Sequence, residues 1–173
     1  MKHITCLCLS AVLLTAPLTA CGRTPEPVDS AELLQHLQFY GTEFAFPCTY
    51  GEISDRFGLE DGYYYETAGY TYYNLTYDGK KVADIAFSGD ITEENEDREI
   101  ELFVVNDQQA AELTIGDTDA GTSYRSLVKA FGKPDYETKA SSGSRIVTYN
   151  WDGVDLSVLF HDSEAYEYTF VKR

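Results

Sequence analysis

Hydrophobic and polar positions alternate strictly in several stretches of this chain and follow helical spacing in one. In Tyr70–Tyr77 (YTYYNLTY) the residues Tyr73, Leu75 and Tyr77 fall on one side of an extended strand, while Tyr70 and Tyr72 fall on the other. Ile100, Leu102 and Val104 alternate in the same way, as do Tyr166, Tyr168 and Phe170. Arg145–Trp151 and Val154–His161 flank Asp152-Gly153, and Tyr70–Tyr77 and Lys81–Phe87 flank Asp78-Gly79. Asp-Gly between two extended runs predicts a tight hairpin, because both turn residues tolerate positive φ. Helical spacing is clearest at Tyr124, Leu127, Val128 and Phe131, with Thr122 or Ser123 as the cap. Gly132 supplies the left-handed stop there, and Pro134 keeps the helix from resuming.

A shift of 74 positions lays one part of the chain over another. It places Tyr50 on Tyr124, Phe57 on Phe131, Gly58 on Gly132, Asp61 on Asp135, Gly69 on Gly143, Asp78 on Asp152 and Gly79 on Gly153. The matches include the helix stop and the hairpin turn, which are positions that set a fold. The first copy therefore predicts a helix carrying Tyr50, Ile53 and Phe57, and each copy predicts three strands after its helix. The expected class is α+β: two tandem repeats, each a short helix or helix pair packed on a three-stranded antiparallel meander. Leu37–Phe46 adds an expected hairpin turning at Tyr40-Gly41, and Asp29–Gln35 a helical turn. Residues 32–106 hold the first repeat and 107–173 the second.

The N-terminus changes where such a chain would work. Met1-Lys2-His3 precedes an apolar run from Ile4 to Leu18, which is too short to span a bilayer comfortably. It ends in Leu18-Thr19-Ala20-Cys21, which resembles the lipobox of bacterial lipoproteins. Residues 1–20 then read as a signal peptide, Cys21 as the acylated first residue of the exported protein, and 21–31 as a proline-containing tether. Cys6 and Cys8 leave with the signal and Cys21 takes the lipid, so Cys48 has no partner for an intramolecular bridge. Beside Phe44 and Phe46 it reads as a buried small hydrophobe.

The formal net charge is −16, and it is unevenly spread. From Cys21 to Asn106 there are 18 acidic and 5 basic residues; from Asp107 to Arg173 there are 11 and 7. Such a surface repels nucleic acid and anionic headgroups. A cationic ligand, a basic protein or cell-wall cations stay open as partners, but keeping an exported protein soluble is explanation enough for such a charge.

Little in the chain points to catalysis. His36 and His161 have no metal-ligand spacing around them, and no phosphate-binding glycine loop or G-x-S-x-G elbow is present. Asp117-Thr118-Asp119 near Gly121 lacks the remaining oxygen ligands of a calcium loop, and Asp90–Glu99 reads as a solvated acidic loop. No catalytic residue, cofactor or metal is expected. The aromatic run is the strongest binding candidate: Tyr63, Tyr65, Tyr70 and Tyr72 make a surface suited to protein or carbohydrate contact. Tyrosine is also a good strand former that tolerates exposure, which accounts for part of the run without any ligand.

Phe131-Gly132-Lys133-Pro134-Asp135, after a short helix and before a meander, resembles the SmpA/OmlA type of small lipoprotein. The two-copy layout is also similar to the secreted β-lactamase-inhibitor proteins. Leu59-Glu60 replaces Lys133-Pro134 in the first copy, and the inhibitors' disulfides have no counterpart here. The resemblance implies a non-catalytic binding module. The expected role is a lipid-anchored, extracytoplasmic protein of a bacterial cell envelope that binds an unknown protein or envelope polymer. Inhibition of a secreted enzyme by an inserted loop, Gly58–Gly69 or Asp90–Glu99, is the alternative, and a hydrolase using His161 or Cys48 a more distant one.

Overall fold

A computed structural model describes residues 29–91, 96–140 and 142–173. The expected signal peptide, Cys21 and the tether as far as residue 28 lie outside the described residues, as do positions 92–95 of the acidic loop.

The strands are β1 (Leu37–Phe39), β2 (Thr42–Phe44), β3 (Gly58–Tyr65), β4 (Tyr70–Tyr77), β5 (Lys80–Ser88) and β6 (Leu102–Asn106) in the first half. The second half holds β7 (Leu113–Ile115), β8 (Thr118–Asp119), β9 (Tyr136–Lys139), β10 (Arg145–Trp151), β11 (Val154–His161) and β12 (Glu164–Lys172). Among the described residues, α1 (Ser30–Gln35) precedes β1, α2 (Asp107–Ala110) joins β6 to β7 and α3 (Tyr124–Phe131) joins β8 to β9. Eight strands form one sheet in the order β3-β4-β5-β6-β12-β11-β10-β9, and four form a small one, β2-β1-β7-β8. Every pairing between named strands is antiparallel.

This architecture overturns the expected pair of helix-on-meander repeats. The chain is mostly β, each half gives four strands to the large sheet rather than three, and β6 pairs with β12 so that the two halves share one sheet. Nor does the first half contain the expected helix. Tyr50–Glu52 is a single 3₁₀ turn, where the Glu52 carboxylate accepts the Thr49 N–H at 2.7 Å. Its backbone is drawn elsewhere: Tyr50 N–H donates to Arg98 O, Gly51 N–H to Glu96 O, and Ile100 N–H to Cys48 O. Gly51 also lowers helix propensity at that point, so tertiary pairing prevails. In α3 the expected spacing does produce a helix, capped by Ser123 and stopped at Gly132 (φ +81°), with Leu127 and Phe131 buried.

Both Asp-Gly turns form as their chemistry requires. Asp78 and Gly79 have φ of +50° and +69°, and Asp152 and Gly153 have +22° and +84°. The β1–β2 hairpin turns at Tyr40-Gly41, and α1 is capped by the Asp29 carboxylate. On β12 the alternation is interrupted. A register shift opposite Leu159 and Phe160 leaves Tyr168 and Phe170 in the core but turns Tyr166 outward, so these three residues do not share one buried face.

The core lies on one side of the large sheet only. Tyr73, Leu75, Ile85, Phe103, Tyr168, Leu156 and Tyr149 face the small sheet and α3, and they join Phe39, Phe44, Leu113, Ile115, Leu127 and Phe131 in one buried cluster. Phe103 ties the layers together: its ring lies 5.5 Å from Phe39, 5.8 Å from Phe44 and 5.9 Å from Phe170. The other side of the large sheet, from Tyr63 on β3 to Tyr136 on β9, is exposed or half-buried except at small residues such as Ala86.

Candidate functional site

Strand pairing collects the candidate tyrosines. Tyr63 sits directly opposite Tyr72 and Tyr65 opposite Tyr70, so all four share the uncovered side of the sheet. The Tyr63 and Tyr72 rings stack at 5.5 Å with an interplanar angle of 16°, and Tyr70 meets Tyr72 edge-on at 6.2 Å. Tyr63 is 60 % exposed and Tyr65 53 %, whereas Tyr73, one position along the same strand from Tyr72, is 8 % exposed and packs edge-on against Phe87. Burial, followed by the nearby phenols of Tyr63, Tyr70 and Tyr65, pushes the Tyr72 hydroxyl above the usual tyrosine value. The four rings therefore form one contiguous patch of phenols.

A local irregularity sets that register. Between Glu60 (opposite Asn74) and Tyr63 (opposite Tyr72), residues Asp61 and Gly62 stand against the single residue Tyr73. Asp61 has φ +55°, and its carboxylate accepts from the Asn74 amide at 3.1 Å. A Cβ on Gly62 would lie 2.3 Å from Tyr73 Cε1, so only glycine lets the buried Tyr73 ring close against β3. The bulge thus holds Tyr73 inward and Tyr63 outward.

The patch opens onto a wider surface. Behind Tyr72 the register runs through Ala86 on β5 to Leu102 on β6. Hydroxyls follow, including Thr148 Oγ1 and Ser157 Oγ at 3.0 Å across β10 and β11. At the far end Tyr136 and Ile146 are exposed, and Tyr166 lines a cavity of about 260 Å³ with Ser144, Leu159 and His161. Tyr136 and Ile146 carry no expectation from the sequence, and Tyr166, expected on the same face as Tyr168 and Phe170, turns outward instead. Ile146 was detectable as an apolar residue on the polar side of an alternating strand; Tyr166 was not, because the bulge decides its side.

The other candidates stand apart from this face. Cys48 is buried, and burial, then the charges of Glu52 and Glu99, push its thiol up to about 12, so it stays protonated at neutral pH. His161 ends β11 at an exposed turn, with Nδ1 3.4 Å from Ser144 Oγ and Nε2 3.6 Å from Asp162. His36 Nδ1 lies 2.7 Å from Glu43 Oε1 beside an acidic cavity of about 390 Å³ lined by Asp29, Glu32 and Asp117. Asp119 belongs to β8, and among the described residues no group of histidine, cysteine or carboxylate side chains converges on a metal position. Among those residues, too, no helix is long and apolar enough to cross a membrane. Gly58–Tyr65, expected as part of a loop, is the edge strand of the large sheet.

Comparison with protein-family models, with curated proteins and with solved structures gave no match to this chain.

Proposed function

We propose that this chain is a non-catalytic protein-binding module, tethered to a bacterial membrane by lipid on Cys21, that holds its partner on the open side of the large sheet at Tyr63, Tyr65, Tyr70 and Tyr72. One observation carries the reading. A single strand sends Tyr73 and Leu75 into the core and Tyr70 and Tyr72 to a face where they meet Tyr63 and Tyr65. Tyrosine rings supply large contact area with only two side-chain torsions to fix, so such a patch binds at small entropic cost. The phenol hydroxyls add hydrogen-bonding capacity without charge. Burial of Tyr73 serves the core; the half-buried Tyr70 and Tyr72 and the exposed Tyr63 and Tyr65 are not needed for it.

The test combines capture and stability. Immobilised full-length chain in detergent is offered envelope proteins, alongside a Tyr70→Ser, Tyr72→Ser variant. Loss of a specific captured protein, with a melting temperature within about 3 °C of the parent, supports the reading. Unchanged capture, or collapse of the fold, overturns it. The tether is tested separately: labelled palmitate should enter the parent and not a Cys21→Ser variant.

A further inference from the structure

The free edge of the large sheet lies beside the tyrosine patch. β3 is the terminal strand, it is eight residues long, and among the described residues nothing pairs with its outer side. Natural sheets guard such edges with charged residues (lysine above all), proline, a bulge, short length or a covering element, and β3 has only its bulge and the acidic Glu60 and Asp61, all before Tyr63. The opposite edge follows that practice: β9 has four residues, carries Lys139 and is separated from Pro134 by Asp135 alone. β3 has neither lysine nor proline. Its one irregularity, at Asp61 and Gly62, leaves Tyr63–Tyr65 regularly paired to β4 on the inner side.

Charge makes the edge selective. From Gly58 to Gly79 the chain has Glu60, Asp61, Glu66 and Asp78 and not one basic residue. On the neighbouring elements Lys81 is paired with Asp84 at 2.6 Å and the Arg98 guanidinium donates to the Ser88 carbonyl. A second copy of this acidic chain would bring like charges together at the edge, and a neutral glycan would draw no Coulombic attraction from the acidic border and cannot continue the strand ladder.

We infer that β3 takes up an extended, arginine- or lysine-bearing segment of the partner protein as a ninth strand of the sheet. This rests on the binding-face reading above and adds the mode and the chemistry of the partner. A strand added at the usual spacing of about 4.8 Å places alternate side chains on the open face, with their Cβ atoms roughly 5 Å from those of Tyr63 and Tyr65. From there an arginine or lysine side chain is long enough to lay its cationic group on a tyrosine ring face, within the ~6 Å at which a guanidinium or ammonium is drawn to it. Backbone hydrogen bonds give affinity, and the tyrosines and carboxylates give the preference for positive charge.

The probe is a blocked octapeptide alternating arginine and valine, titrated into the full-length chain. Comparators are the same peptide with glutamate for arginine, the same peptide N-methylated at alternate residues, and a β-linked glucose hexamer. The arginine peptide should bind about tenfold tighter than the glutamate peptide, as expected for two or three exposed ion pairs. N-methylation should cost at least about tenfold through lost backbone bonds. A Glu60→Gln, Glu66→Gln variant should weaken the arginine peptide severalfold, and amide exchange should slow at Tyr63–Tyr65. Equal binding of the arginine and glutamate peptides, indifference to N-methylation, protection away from β3, or preference for the glucose hexamer each overturns the inference. If partner capture still depends on Tyr70 and Tyr72 while the peptides are not distinguished, the added strand alone is refuted. If capture ignores those tyrosines, the binding-face reading falls and this inference with it.

Discussion

Replacing Phe103 with alanine removes the ring on which both layers converge. Its side chain is 2 % exposed and touches the rings of Phe39, Phe44, Phe46 and Phe170. A phenylalanine buries on the order of 200 Å², which at about 25 cal/mol per Å² is about 5 kcal/mol as an upper bound. Truncations of buried aromatics fall at about 3–5 kcal/mol once partial collapse of the cavity is included. Against a total stability of about 5–15 kcal/mol, the loss is a large fraction and lowers the melting temperature by roughly 10–15 °C. Tyr63→Ala, on the opposite side of the same sheet, should cost less than about 1 kcal/mol. Urea titration followed by circular dichroism measures both. A Phe103→Ala loss below about 1.5 kcal/mol would refute the two-layer packing described here, as would equal losses at the two sites.

Two further predictions test local geometry. Gly62→Ala should destabilise by about 1–3 kcal/mol, because its Cβ would overlap the buried Tyr73 ring; Gly143→Ala, which has open space around it, should cost only the strain of its positive φ. The Glu137 carboxyl is held below the usual carboxylate range by the Tyr124 hydroxyl bond at 2.9 Å and then by Lys139 and Arg145. A depressed carboxyl stabilises the fold above its ordinary value and loses that contribution as pH falls through the lowered one. Glu137→Gln should therefore be less stable than the parent at pH 7, with the gap closing below about pH 4, as read from melting curves across pH.

The elements visible in the sequence were those whose two sides differ. β4 alternates because Tyr73 and Leu75 are buried and Tyr72 and Asn74 are not, and the Asp-Gly turns announce themselves through backbone chemistry. β3 escaped notice because nearly all its side chains are exposed, so no period of two marks it. Tyr50–Phe57 carries a helical spacing, yet the hydrogen bonds of Tyr50 and Gly51 to residues 96–98 belong to a long-range partner that no local pattern contains. The joining of β6 to β12 is equally non-local, and with it went the expectation of two separate helix-on-meander units. At the candidate site, the shared side of Tyr70 and Tyr72 followed from alternation alone. Their alignment with Tyr63 and Tyr65 depends on the extra residue at Asp61-Gly62, which only the pairing reveals.

Tyrosine-ring NMR of the full chain, with a soluble relaxation agent, free and bound to the protein it captures, addresses the open tyrosine face most directly. Signals of Tyr63, Tyr65 and Tyr70 should broaden in the free chain and be protected in the complex, while the buried Tyr149 and Tyr168 stay silent throughout. Protection of the first three before any partner is added, or equal broadening with and without it, would contradict the account.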